Sequence, residues 1–108
     1  MAKNYVMDTS ALFALTRGED GSDTVENILN SARKGRDAVY LSFITFMELY
    51  YVTWQEKGED AAKELIILAK SLPVHRVDPN ERITLSAGRL KANHRLSVAD
   101  AFIAATAI

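Results

Sequence analysis

The stretch Tyr5-Val6-Met7-Asp8-Thr9-Ser10-Ala11-Leu12 decides how this chain is read. Three apolar residues run into an aspartate, two hydroxyl residues follow, and a helical pattern begins. A short apolar run bounded by turn-formers reads as a strand buried on both faces. Such strands belong to parallel sheets covered by helices. In open parallel sheets, ligands bind beyond the carboxyl ends of the strands, and Asp8 stands at that end. A carboxylate closing a buried strand is costly unless it is hydrogen-bonded, paired or bound to a cation. Local capping is an equal explanation, since Asp8 or Ser10 can satisfy the first amides of the next helix.

The pattern repeats outward from that stretch. A short helix is expected from Ser10 to about Thr16, closed near Gly18. The acidic loop Glu19-Asp20-Gly21-Ser22-Asp23 follows. A second helix carries Val25, Ile28, Leu29 and Ala32 at helical spacing, with Asp23 and Glu26 as a capping box and Gly35 at its end. Ala38-Val39-Tyr40-Leu41-Ser42 is a second buried strand. Helix three runs from Phe43 or Phe46 to Lys57. Its stripe of Phe43, Phe46, Met47, Tyr50 and Trp54 is expected to face the core or a subunit interface. Helix four spans about Asp60 to Ser71, and Leu72-Pro73 stops it. Val74-His75-Arg76-Val77 is a third strand. Asp78-Pro79-Asn80-Glu81 then starts helix five, with Asp78 as the cap. The basic loop Lys91-Ala92-Asn93-His94-Arg95 leads to a last apolar helix opened by Ser97-Val98-Ala99-Asp100. Strand and helix alternate, which predicts an α/β domain with a parallel sheet.

Composition bounds the chemistry. At 108 residues and 48% hydrophobic, the chain suits one domain with a real core. It has no cysteine, which excludes disulfides, thiolate metal sites and a cysteine nucleophile. No apolar run reaches the roughly 18 residues of a membrane span. Met1-Ala2-Lys3-Asn4 runs straight into a strand without a signal-peptide pattern, so a cytoplasmic protein is expected. The net charge of −1 supplies no global field for nucleic acid. A polyanion would have to be held by a local patch or through cations.

Three acids occupy comparable places. Asp8 ends strand one, Glu48 is expected in the first turn of the helix after strand two, and Asp100 in the first turn of the last helix. Right-handed crossovers bring strand ends of one direction to one sheet edge, so the three are expected to converge there. Thr45-Phe46-Met47-Glu48 and Ser97-Val98-Ala99-Asp100 both also match a capping box, and the helix dipole favours acids at these positions. Capping leaves unexplained why Asp100 is the only charge in its helix, or why Glu48 interrupts an apolar run. Converging carboxylates repel unless a divalent cation sits between them, and oxygen-only ligands suit Mg²⁺ or Mn²⁺.

On these three motifs the sequence resembles a PIN domain of the VapC-like toxin ribonuclease type. The matching segments are Tyr5 to Leu12, Leu41-Ser42-Phe43-Ile44-Thr45-Phe46-Met47-Glu48-Leu49-Tyr50-Tyr51, and Leu96 to Ala107. The resemblance implies a three-layer helix-sheet-helix fold and a metal-dependent endoribonuclease using Mg²⁺ or Mn²⁺. Asp8, Glu48 and Asp100 fall on the acidic metal-binding and catalytic positions. Thr9 or Ser10 falls where a hydroxyl supports the site. It also implies an antitoxin protein and a second copy of the toxin as partners. Arg89, Lys91 and Arg95 are candidates to hold RNA backbone, while His75 and His94 are read as structural and loop residues. The family pattern continues into another strand ending near a fourth acidic position. This sequence stops at Ile108, so a truncated domain with the first strand at an open edge is expected. A catalytically silent module of the same fold, presenting its aromatic helix to a partner protein, stays open as a second reading. A phospho-acceptor domain is weaker, for want of a lysine-bearing strand end.

Overall fold

A computed structural model describes residues 2–108; Met1 lies outside them. Three strands form the sheet: β1 (Asn4–Met7), β2 (Ala38–Ser42) and β3 (His75–Val77). Their order is β1-β2-β3, all parallel. Register pairs Tyr5 with Val39 and Met7 with Leu41, and pairs Ser42 with Val77. The carboxyl ends Met7, Ser42 and Val77 therefore lie along one edge. β1 has β2 on one side only, the open-edge position expected from the sequence. Beyond that open side, β1 borders a groove walled by Val25 and Ile28 of one helix and by Ile103, Ala104 and Ala107 of another.

Six helices join the strands: α1 (Thr9–Arg17), α2 (Ser22–Arg33), α3 (Phe43–Lys57), α4 (Glu59–Ser71), α5 (Glu81–Asn93) and α6 (Val98–Ala107). Gly18 closes α1 at φ 64°, where its amide donates back to the carbonyls of Ala14 and Leu15. That left-handed conformation is one glycine adopts without a Cβ penalty. Gly58, at φ 93°, lets α3 reverse directly into α4.

Two apolar clusters hold the layers together. One packs Met7, Val39 and Leu41 of the sheet against Leu12, Val25, Leu29, Leu49 and Ala69. The other joins Ile83 and Ala87 of α5 to Ala101 and Ala105 of α6, with Val77 against them. The alternation along β2, with Val39 and Leu41 wholly buried and Tyr40 half-buried, is the two-residue period of a pleated strand.

The sequence reading is corrected at the helix starts. α2 begins at Ser22 after Gly21 and has no side-chain cap, so Asp23 and Glu26 form no box. α5 is capped by Asn80, whose Oδ1 accepts from the Ile83 amide at 2.8 Å. Asp78 instead takes Arg76 at 2.7 Å. α3 starts at Phe43 directly after β2, with Ser42 as its cap, so Thr45 lies inside the first turn and caps nothing. Within the aromatic stripe, Phe43, Phe46 and Tyr50 are half-buried, with Phe46 packed against the main cluster. The buried face of α3 is Ile44, Thr45, Leu49 and Thr53. Met47, Tyr51 and Trp54 are 50%, 43% and 42% exposed.

Candidate active site

Asp8 is the residue between β1 and α1. Its backbone is extended, and Oδ1 accepts from the Ala11 amide at 2.8 Å. The local-cap reading is thus realised, but it uses one carboxylate oxygen on a side chain that is otherwise exposed. Capping and ligand binding are compatible, because a carboxylate has two oxygens with several acceptor sites.

Thr9 turns the opposite way, inward. Its hydroxyl donates to Oε1 of Glu48 at 2.6 Å, across 39 positions of sequence. This bond ties the turn after β1 to the second turn of the helix after β2. Ser10, the other hydroxyl expected to support the site, is exposed and lines a hollow with Phe13, Arg17 and Asp20 on the outer side of α1. Glu48 itself is half-buried. Behind it, the Thr45 hydroxyl lies 3.4 Å from the Thr9 hydroxyl, and Thr45 is wholly buried.

Asp100 approaches from α6. Ser97 caps that helix, its hydroxyl accepting from the Asp100 amide at 3.0 Å. The Asp100 carboxylate is left exposed. α6 packs on β1 and β2 and against α3. The rings of Phe43 and Phe102 meet edge-on, 5.2 Å between centroids, which sets the start of α3 against the second turn of α6. The turn bearing Asp8 is thus linked to Glu48 through Thr9, and Asp100 stands two residues before the Phe102 that meets Phe43 at the end of β2. Among the described residues, no three His, Cys, Asp or Glu side chains stand gathered as an ion-holding set. Glu48 is turned onto Thr9, and Asp8 onto its own helix. The donor set still fits a hard cation: it is all carboxylate oxygen, with hydroxyl support.

The family model for the PIN domain matches residues 5–108. The chain belongs to the PIN domain family. Solved structures agree on the fold. VapC20 of Mycobacterium tuberculosis, described as a sarcin-ricin loop cleaving toxin, superposes with a TM-score of 0.71 at 20% identity, over 95% of this chain and 79% of that one. VapBC2 of Rickettsia felis, bound to a DNA fragment from its promoter, gives 0.72 at 19% identity, over 100% and 80%. DNA-bound VapBC of Salmonella typhimurium gives 0.69 at 17% identity, over 97% and 78%. No curated protein matches the chain by sequence.

The basic residues of this PIN domain are arranged less simply than expected. Arg89 and Lys91 lie on α5 and Arg95 in the loop before α6, all exposed. The Lys91 ammonium donates to the Leu96 carbonyl at 2.7 Å, stapling that loop. His94 is the residue that ends α5, and His75 lies exposed on β3 with its ring 5.3 Å from that of Tyr40. The residue that sequence reasoning missed is Thr45. Its only sequence signal was a polar residue inside Phe43-Ile44-Thr45-Phe46, which read as a cap. Among the described residues, no helix is long and apolar enough to cross a membrane.

Proposed function

We propose that this PIN domain is a metal-dependent endoribonuclease hydrolysing RNA phosphodiester bonds, the toxin of a toxin–antitoxin pair. The observation that carries this reading is the Thr9–Glu48 hydrogen bond, which holds an acid of α3 at the turn that bears Asp8. Family membership and the likeness to a toxin described as cleaving the sarcin-ricin loop support it. Asp8, Glu48 and Asp100 are the residues that would hold Mg²⁺ or Mn²⁺. Such an ion, when bound, lowers the pKa of a coordinated water and stabilises charge on the phosphate.

The chain's own groups do the rest. Asp8 offers the carboxylate oxygen that its cap does not use. Thr9 fixes the Glu48 carboxylate through Oε1. Asp100, in the first turn of α6, would add a third carboxylate. Arg89 and Arg95 carry charge toward an RNA backbone, while Lys91 mainly orders the loop between them. The protein as a whole carries −1, so binding would rest on that local charge and on the cation.

The likeness to VapBC complexes supports an antitoxin protein as partner. A second copy of the chain is the other expected partner. The exposed Met47, Tyr51 and Trp54 on α3 supply an apolar surface for association. Incubating the protein with a mixed RNA pool, with Mn²⁺ or Mg²⁺ and with EDTA, tests the reading. Cleavage that EDTA abolishes supports it. Intact RNA under all conditions would leave the catalytically silent module as the better account.

A further inference from the structure

We propose that Thr45 is a positioning residue for Glu48, acting through Thr9. The inference rests on the reading of Glu48 as a cation ligand. A threonine hydroxyl has one proton and two acceptor lone pairs. A carboxylate only accepts, so the 2.6 Å contact commits the Thr9 proton to Glu48 Oε1. The 3.4 Å contact has Thr9 Oγ1 placed to donate to Thr45 Oγ1, but one proton cannot serve two acceptors, so we assign it to the shorter bond with Glu48 and the Thr45 hydroxyl as donor in the longer one. The chain of groups runs Thr45 to Thr9 to Glu48, and it ends on an acid at the edge of the sheet.

Geometry explains why Thr45 can do this. Ser42, not Thr45, caps α3, so the Thr45 side chain is released from helix capping. It is wholly buried, whereas Thr9 is 9% exposed and Glu48 half-buried. Water therefore cannot stand in for the Thr45 hydroxyl as it could at the outer end of the chain. Both threonines are also β-branched and stiff at χ1, Thr45 within a helix and Thr9 at the first position of one. A donor fixed at the dry end pins the Thr9 hydroxyl rotor. Pinning that rotor removes one way for the carboxylate to swing off the site. Groups that orient ligating residues typically change metal affinity by about 10–100-fold when lost.

The test uses Thr45→Val, which keeps the shape and removes the hydroxyl, beside Thr45→Ser, which keeps the hydroxyl. Mn²⁺ affinity is read by electron paramagnetic resonance, with no RNA present. The expected result is about 10-fold weaker binding for Thr45→Val and near wild-type binding for Thr45→Ser. Equal affinity in all three proteins overturns the positioning role while leaving the cation site standing. No Mn²⁺ binding by the wild type instead sinks the reading on which it rests. Should Thr45→Val not fold, the wild-type protein decides by NMR: the Thr45 hydroxyl proton should exchange slowly and lie against Thr9 Oγ1. A fast-exchanging proton, or one directed at the carbonyl of Leu41, overturns the proposal.

Discussion

Thr9 donates its hydroxyl to Oε1 of Glu48 at 2.6 Å, and this bond joins two chain segments 39 residues apart. Thr9→Val should therefore reduce cation affinity by about 10–100-fold. The change in stability should be smaller, about 1 kcal/mol, because Glu48 is half-buried and water can replace part of the lost donor. Mn²⁺ titration and chemical denaturation of the same variant check both parts.

Asp8 has two roles that substitution can separate. Asparagine caps helices about as well as aspartate, so Asp8→Asn should keep the bond from the Ala11 amide and leave the fold intact or slightly more stable. Loss of a like charge beside Glu48 works in the same direction. RNA cleavage should nevertheless be lost. Asp8→Ala should lose cleavage and also about 1 kcal/mol of stability, since it removes the cap. Full activity in Asp8→Asn would reduce Asp8 to a cap.

Asp37 ties the sheet to α2. Its Oδ1 accepts from the Lys3 amide at 2.9 Å and its Oδ2 from the Ser31 hydroxyl at 2.8 Å. The Lys3 amide first, then the Ser31 hydroxyl, hold its carboxyl below the usual value of 3.8. A depressed folded-state pKa stabilises the fold above the unfolded value and ceases to do so as pH falls through the folded one. The gap in melting temperature between wild type and Asp37→Asn should thus be constant near neutrality and shrink below about pH 4. Thermal melts at several pH values read this directly, and a gap independent of pH would contradict it.

Much of the architecture was legible because burial and period agree over short runs. β2, Ala38 to Ser42, was read to the residue, and the open-edge position of β1 followed from the strand count. Helix caps were less legible. Ser/Thr/Asp followed three residues later by an acid fits several registers at once, and where the preceding strand ends decides between them. At α3 the last residue of β2, Ser42, took the cap. The core face of α3 was legible only in part. Its large aromatics were expected to face the core or a subunit interface, and α3 and α4 run back closely upon each other. The buried positions there are Thr53, Ala62 and Ala69, residues small enough to allow that approach. Phe43, Phe46 and Tyr50 stay half-buried, and Met47 and Trp54 of the stripe are exposed. At the site, Asp8, Glu48 and Asp100 were legible as acids at strand ends and helix starts. The Thr45–Thr9–Glu48 chain was not, because sequence carries no signal for a contact between two buried hydroxyls.

The exposed part of α3 bears on association. With Met47, Tyr51 and Trp54 exposed along α3, the protein should self-associate at micromolar concentration. Tyr51→Glu should shift it to monomer without unfolding it, since this side chain is not part of the core. Sedimentation equilibrium of both proteins checks the outcome, and a wild type that stays monomeric would remove this face as a contact between copies.

The account's central claim is that Asp8, Glu48 and Asp100, drawn from three distant segments, act as one cation site. Anomalous diffraction from crystals soaked in Mn²⁺ tests it most directly. One strong peak is expected at the carboxyl edge of the sheet, with oxygens of these carboxylates about 2.0–2.6 Å away as direct ligands or hydrogen-bonded to a coordinated water. An ion held elsewhere, or any two of the three carboxylates more than about 10 Å apart in the loaded protein, would contradict it.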